Sequence, residues 1–154
     1  MPDTSASVKG VYPVALRDPF ADQSTQPFWD AALEGRLLAS KCTSCGTFLL
    51  PPQPRCFNCQ ATTFEWEELP GTGTIYSYTV VRHPLSPALG EVVPYVAAVI
   101  DLDGTQGAGA RLLANVVDCD PEAVVVGDKV RVIFDRLSDT LALPRVTPLQ
   151  EGSK

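Results

Sequence analysis

The sequence predicts a mainly β protein: a short N-terminal helix, a small cysteine-bearing ribbon, then a five-stranded barrel. Two observations carry this reading. Four cysteines stand in two close pairs, Cys42 with Cys45 and Cys56 with Cys59. After Gly71, short runs rich in valine, isoleucine, threonine and tyrosine recur with turn residues between them.

The helix is expected over residues 28–35, Phe-Trp-Asp-Ala-Ala-Leu-Glu-Gly. Phe28 with Ala32, and Trp29 with Leu33, fall four apart on neighbouring stripes, and Gly35 is a natural terminator. So short a helix does not hold itself in water. Either the following domain or another subunit must bury Phe28 and Trp29.

The cysteines read C-T-S-C and C-F-N-C with ten residues between the pairs. Two knuckles at this spacing can bring four thiolates to the corners of one tetrahedron, the geometry of closed structural zinc sites. Sulfur-only ligation also suits rubredoxin-type iron. A closed four-thiolate site leaves no open position for a substrate, which argues against redox or nucleophilic roles. Gly46 suits the tight backbone turn around a metal. Phe48 to Pro52 and Phe64 to Glu67 read as ribbon strands. Helix and ribbon together span residues 28–69; the cysteine module, residues 36–69, has too little core to fold unaided, so Zn²⁺ is expected as a structural cofactor on Cys42, Cys45, Cys56 and Cys59.

The barrel follows over residues 70–148. Its strands are expected at Thr74 to Arg82, Tyr95 to Leu102, Arg111 to Val117, Lys129 to Phe134 and Leu141 to Val146. Asp120-Pro121-Glu122-Ala123 reads as the cap and first turn of a small helix between the third and fourth. Five strands with a helix in that place predict an OB-type barrel. Residues 1–27, interrupted by prolines at 2, 13, 19 and 27, read as a flexible arm whose one apolar stretch is Val11 to Leu16. Residues 149–154 read as a tail.

The 154 residues are 45% hydrophobic and 19% charged, which places the chain among globular proteins. No apolar run approaches the roughly 20 residues that span a bilayer, and the N-terminus lacks the pattern of a secretory leader. Both point to the cytoplasm, where clustered cysteines bind metal more often than they pair. The formal charge is −6. Four thiolates on one divalent ion make it about −8. That balance is poorly suited to gathering nucleic-acid phosphates.

Other candidate sites are weaker. His83, the one histidine, follows the first barrel strand and is a possible acid or base, or a surface residue at a strand end. Cys119 reads as a buried, inert thiol. Tyr76 and Tyr78, expected to share one face of a strand, and Phe134 on another can stack bases in an OB fold, or simply pack. Arg82, Arg111, Lys129, Arg131, Arg136 and Arg145 are the cations able to meet a phosphate. Gly71-Thr72-Gly73-Thr74 enters a strand rather than a helix, so it is no phosphate cradle.

The Phe28-Trp29 helix, the cysteine ribbon from Cys42 to Cys59, the strand entry from Gly71 to Val80 and the Asp118-Cys119-Asp120-Pro121-Glu122 turn occur together in this order. In this combination the chain resembles the acyl-CoA-associated OB-fold family with a rubredoxin-like zinc ribbon, from about Phe28 to Pro148. Its arm is longer than the family module requires. The resemblance implies an accessory subunit that carries no catalytic residues of its own. It would assemble as a hetero-oligomer with a thiolase-like enzyme, a thiolase or retro-aldol lyase on acyl-CoA thioesters, in steroid or related lipid degradation. The ribbon and Phe28, Trp29 and Leu33 would dock that partner. Arg82, Arg111 and Arg131 would contact CoA phosphates near the interface. The rival readings are a partner of a hot-dog-fold enoyl-CoA hydratase, a single-stranded nucleic-acid binder, and an independent enzyme using His83.

Overall fold

The computed structural model describes residues 23–105 and 109–149. The predicted arm, up to residue 22, and the tail from residue 150 lie outside the described residues. Helix α1 (Gln26–Leu33) starts two residues earlier than expected because Pro27 occupies its first turn, where the missing N–H costs nothing. It ends through Gly35, whose φ of +76° returns the chain to α1: its N–H reaches Ala32 O and that of Arg36 reaches Ala31 O.

The ribbon is a three-stranded antiparallel sheet in the order β2-β1-β3, from β1 (Leu37–Cys42), β2 (Phe48–Leu49) and β3 (Phe64–Leu69). Its central strand β1 carries no β-branched or aromatic residue and was not expected. Leu-Leu-Ala-Ser-Lys-Cys becomes a strand because β3 pairs with it along its whole length, from Leu37 opposite Leu69 to Cys42 opposite Phe64. Tertiary pairing overrides a weak local preference here.

The barrel is closed, in the order β4-β5-β6-β8-β7 with β7 returning to β4. Its strands are β4 (Thr72–Val81), β5 (Tyr95–Leu102), β6 (Arg111–Val116), β7 (Lys129–Arg136) and β8 (Ala142–Pro148). Each lies within two residues of its expected place. One pair, β6 with β8, is parallel. The predicted small helix is a single 3₁₀ turn, Pro121–Ala123, capped by Asp120 accepting from the Glu122 N–H at 2.9 Å.

Two glycines explain the Gly-x-Gly entry to β4. Gly71 has a φ of +76°, and its carbonyl accepts from the Val132 N–H at 2.8 Å. Gly73 allows close approach of β5: a Cβ there would stand 2.5 Å from Asp101 O and 2.7 Å from Ile100 Cγ2. The register slips between Ile75 and Ser77, a bulge that sets Tyr76 out of the pairing. This corrects the expectation that Tyr76 and Tyr78 share a face. Beyond the bulge Tyr78 comes opposite Ala98 while Tyr76 is left unpaired, and both tyrosines stay exposed, at 36% and 50%.

Helix, ribbon and barrel share one core. Phe28, Leu37, Ala39, Phe48 and Leu69 join Ile75, Val96, Ile100, Val130 and Val146 in a single buried cluster. Trp29, Trp66, Cys119 and Phe134 pack against it, partly buried. Among the described residues Arg145 is the buried charged side chain, with Ser40 the other buried polar one. Its guanidinium bonds Asn115 and lies 3.5 Å from Asp135, with 3% and 11% of the two charged side chains exposed. Asn115 in turn donates to Val96 O at 3.1 Å. Arg145 therefore ties β6, β7 and β8 together and is not a phosphate contact, contrary to its place among the candidate cations.

Two outcomes are expected. Gly73→Ala should cost about 1–3 kcal/mol through the clash with β5, read as a fall in thermal midpoint by circular dichroism. Arg145→Met should cost about 3–5 kcal/mol in chemical denaturation, because Asp135 is left buried without its cation.

Candidate functional site

The four cysteines converge at one end of the ribbon. Cys42 closes β1, and the two knuckle turns repeat the same hydrogen bonds. In the first, Cys42 N–H donates to Thr47 O and Gly46 N–H to Cys42 O, both at 2.9 Å. In the second, Cys56 N–H donates to Ala61 O and Gln60 N–H to Cys56 O, also at 2.9 Å. Each turn needs a positive φ at its fifth residue, 73° at Gly46 and 65° at Gln60. Gly46 was anticipated; Gln60 was not, since a left-handed glutamine leaves no sequence signal. Thr43 fastens the first knuckle to the start of β3, its N–H and hydroxyl both 3.1 Å from Thr63 O.

All four sulfurs lie within 4.8 Å of one another. Cys42 with Cys59, and Cys45 with Cys56, stand 3.6 Å apart. A disulfide needs about 2.05 Å. A tetrahedron with zinc–sulfur arms of about 2.3 Å has edges near 3.8 Å, so the donor set and spacing fit such an ion. Cys42 and Cys56 are buried, Cys45 and Cys59 exposed.

The electrostatics fit as well. The Thr47 hydroxyl and N–H lower Cys45 to about 6, Asn58 adding a smaller contribution. Cys59 is pushed up to about 12: the Ala61 N–H lowers it, but the sulfurs of Cys45, Cys42 and Cys56 and partial desolvation outweigh that bond. Four thiolates so close repel one another, and a divalent cation removes that repulsion.

Beside the ribbon lie two concavities that share Leu50, Pro51 and Arg111. One, of ≈ 400 Å³, is bounded by Phe57 of the second knuckle, Asp101 and Thr105. The other is an apolar groove of ≈ 320 Å³ between Trp29, Pro52, Leu112, Leu113 and Pro144. Phe57, Leu85 and Leu113 are exposed at 54%, 83% and 72%, high for large apolar side chains.

The other predicted site residues separate. Phe28 is buried in the chain's own core and crosses Trp29 edge-to-face at 5.0 Å; Trp29 and Leu33 remain partly exposed. Arg111 donates to Asp101 at 2.7 Å and stacks on Tyr76, its guanidinium 3.7 Å from the ring centre. Arg82 pairs with Glu122. Arg131, exposed on β7, pairs in register with Thr72, ten residues before Arg82 along the β4 direction. Ten residues span about 33 Å, so these cations do not meet at one point. His83 is exposed beyond the end of β4. Cys119, expected to be buried, is only partly so, and desolvation raises its pKa.

Metal content should follow the cysteines. One divalent ion per chain is expected by elemental analysis, and Cys56→Ser should lose it together with the ribbon's protection from proteolysis. Thiolate is the binding form, so retention should weaken as pH falls and protons compete, and strengthen as pH rises. A chain that kept its ion at low pH, or without Cys56, would contradict this geometry.

Comparison with known proteins agrees with the two-part architecture. A family model described as the ChsH2 rubredoxin-like zinc ribbon domain matches residues 29–65, and the ChsH2 C-terminal OB-fold domain matches residues 66–135. A solved structure described as "Ltp2-ChsH2(DUF35) aldolase" superposes with a TM-score of 0.73 at 32% identity, over 85% of this chain and 98% of that one. A DUF35 domain-containing scaffold protein of Methanothermobacter thermautotrophicus is 33% identical over 104 residues, 67% of this chain and 74% of that protein. A probable enoyl-CoA hydratase alpha subunit of Thermomonospora curvata is 35% identical over 137 residues, 88% of this chain but 41% of that longer protein. The chain belongs to the ChsH2-type DUF35 family, in which a rubredoxin-like zinc ribbon precedes a C-terminal OB-fold domain.

Proposed function

We propose that this chain is an accessory subunit, without catalytic residues of its own, of a thiolase-like enzyme, a thiolase or retro-aldol lyase acting on acyl-CoA thioesters. Breakdown of steroid side chains or related lipids is the process proposed. The observation that carries the reading is the match over nearly the whole of the chain in the Ltp2–ChsH2 aldolase structure. The resident ion is proposed to be zinc, held by Cys42, Cys45, Cys56 and Cys59, where it would supply rigidity rather than reactivity. Structural zinc in such small modules contributes folding free energy of the order of 10 kcal/mol.

The pinned ribbon and α1 would dock the enzyme, with Trp29, Leu33 and the exposed Phe57 as apolar contacts. Phe28 would act from beneath, by holding α1 on the barrel. Arg111 is the cation proposed to lie nearest the acyl-CoA entrance, since it stands between the two concavities. Arg82 and Arg131 would meet CoA phosphates only separately. The similarity to a hydratase alpha subunit supports a second reading, in which the partner is an enoyl-CoA hydratase.

Tagged full-length chain, recovered from its native cells and identified with its companions by mass spectrometry, tests both. A stoichiometric thiolase-like protein is expected, and Cys42→Ser should abolish its recovery. A stoichiometric hydratase would favour the second reading. A lone chain, a chain carrying nucleic acid, or a metal-free variant that still assembled with full activity would refute the proposal.

A further inference from the structure

The apolar groove beside α1 has a large exposed side chain on its rim, Leu113, and a half-buried indole, Trp29, along its wall. Contiguous apolar surface of this kind is normally covered. We propose that its occupant is a segment of this same chain, Val11 to Phe20.

Connectivity is the first support. Thr25 lines the groove and is the third described residue, so the chain enters the fold at the groove's edge. Reach is the second. Phe20 is five residues from Thr25 and Leu16 nine, spans of up to ~17 Å and ~30 Å in extended chain. Either is enough to cross a groove of ≈ 320 Å³.

Chemistry is the third. Val11, Tyr12, Val14, Leu16 and Phe20 supply apolar side chains, with Pro13 and Pro19 between them. The groove answers with Trp29 and the prolines at 51, 52 and 144. Walls of aromatic rings and prolines suit a proline-bearing extended segment, which loses little entropy on docking. Among the described residues the one charge on the lining is Arg111, already engaged by Asp101. The groove therefore asks for apolar groups rather than an anion. A tether this short also sets an effective concentration in the mM range, which a second copy of the chain does not match in dilute solution. The seated segment would cover the groove side of Trp29 and leave Leu33 and Phe57 open, so this proposal does not depend on the enzyme partnership.

Photo-cross-linking of the full-length chain tests it. Leu113, being exposed, is replaced by p-benzoylphenylalanine, and the dilute purified chain is irradiated and mapped by peptide mass spectrometry. Intramolecular links to residues 11–20 are expected. The double substitution Leu16→Ser with Phe20→Ser, in the same full-length chain, should cut their yield at least tenfold while leaving metal content unchanged. Links only between two copies, links only to a co-purified protein, links elsewhere in the chain, or a yield unaffected by the double substitution would each overturn the proposal.

Discussion

Everything at the N-terminal end of the structure depends on four sulfurs held within 4.8 Å of one another. The ribbon has almost no interior of its own. Its private cluster is Cys42, Leu49 and Cys56, with Ala61 and Phe64 against them. The two knuckles have no regular pairing to each other, so without the sulfurs drawn together little would hold the second against the first. A divalent ion at that point would replace the core that so short a segment cannot build. The knuckle hydrogen bonds aim the sulfurs, and the ion makes their mutual repulsion bearable.

From that anchor the structure is continuous. Strand β1 begins as Leu37 in the main core and ends as Cys42 in the cysteine cluster, five residues later. Strand β3 runs beside it and passes through Gly71 into β4, so the ribbon is an extension of the barrel wall rather than a separate bead. Phe28 and Leu37 share buried surface with Val130 and Val146. Such continuity fixes the ribbon in one orientation on the barrel.

The barrel stays closed through two local concessions. Gly73 gives up a side chain so that β4 can press on β5, and Tyr76 is bulged out of register, where it forms a platform for Arg111. The third unusual feature is Arg145, a charge kept inside where Asp135 and Asn115 engage its two terminal nitrogens across three strands. An interior ion pair adds little stability over an apolar substitute, but it accepts only one arrangement of the strands it joins.

The sequence by itself determined the parts whose signal is local. Cysteine spacing located the four-sulfur cluster, because two short knuckles each bring their own pair of sulfurs together. Alternating valines, the Gly-x-Gly entry and the Asp120-Pro121 turn located the barrel strands within two residues, because strand and turn chemistry is written in neighbouring residues. Only the tertiary structure decided what depends on partners distant in the chain. Strand β1 exists through pairing with β3, against its own composition. Phe28 belongs to the core while Trp29 faces the groove, although both are aromatic and adjacent. Arg145 is inside and Arg111 outside, although both are arginines at strand positions. The bulge at Tyr76 reverses the face assigned to Tyr78. In each case the deciding term is a pairing or packing partner far away in sequence, and no local pattern of side chains carries that information.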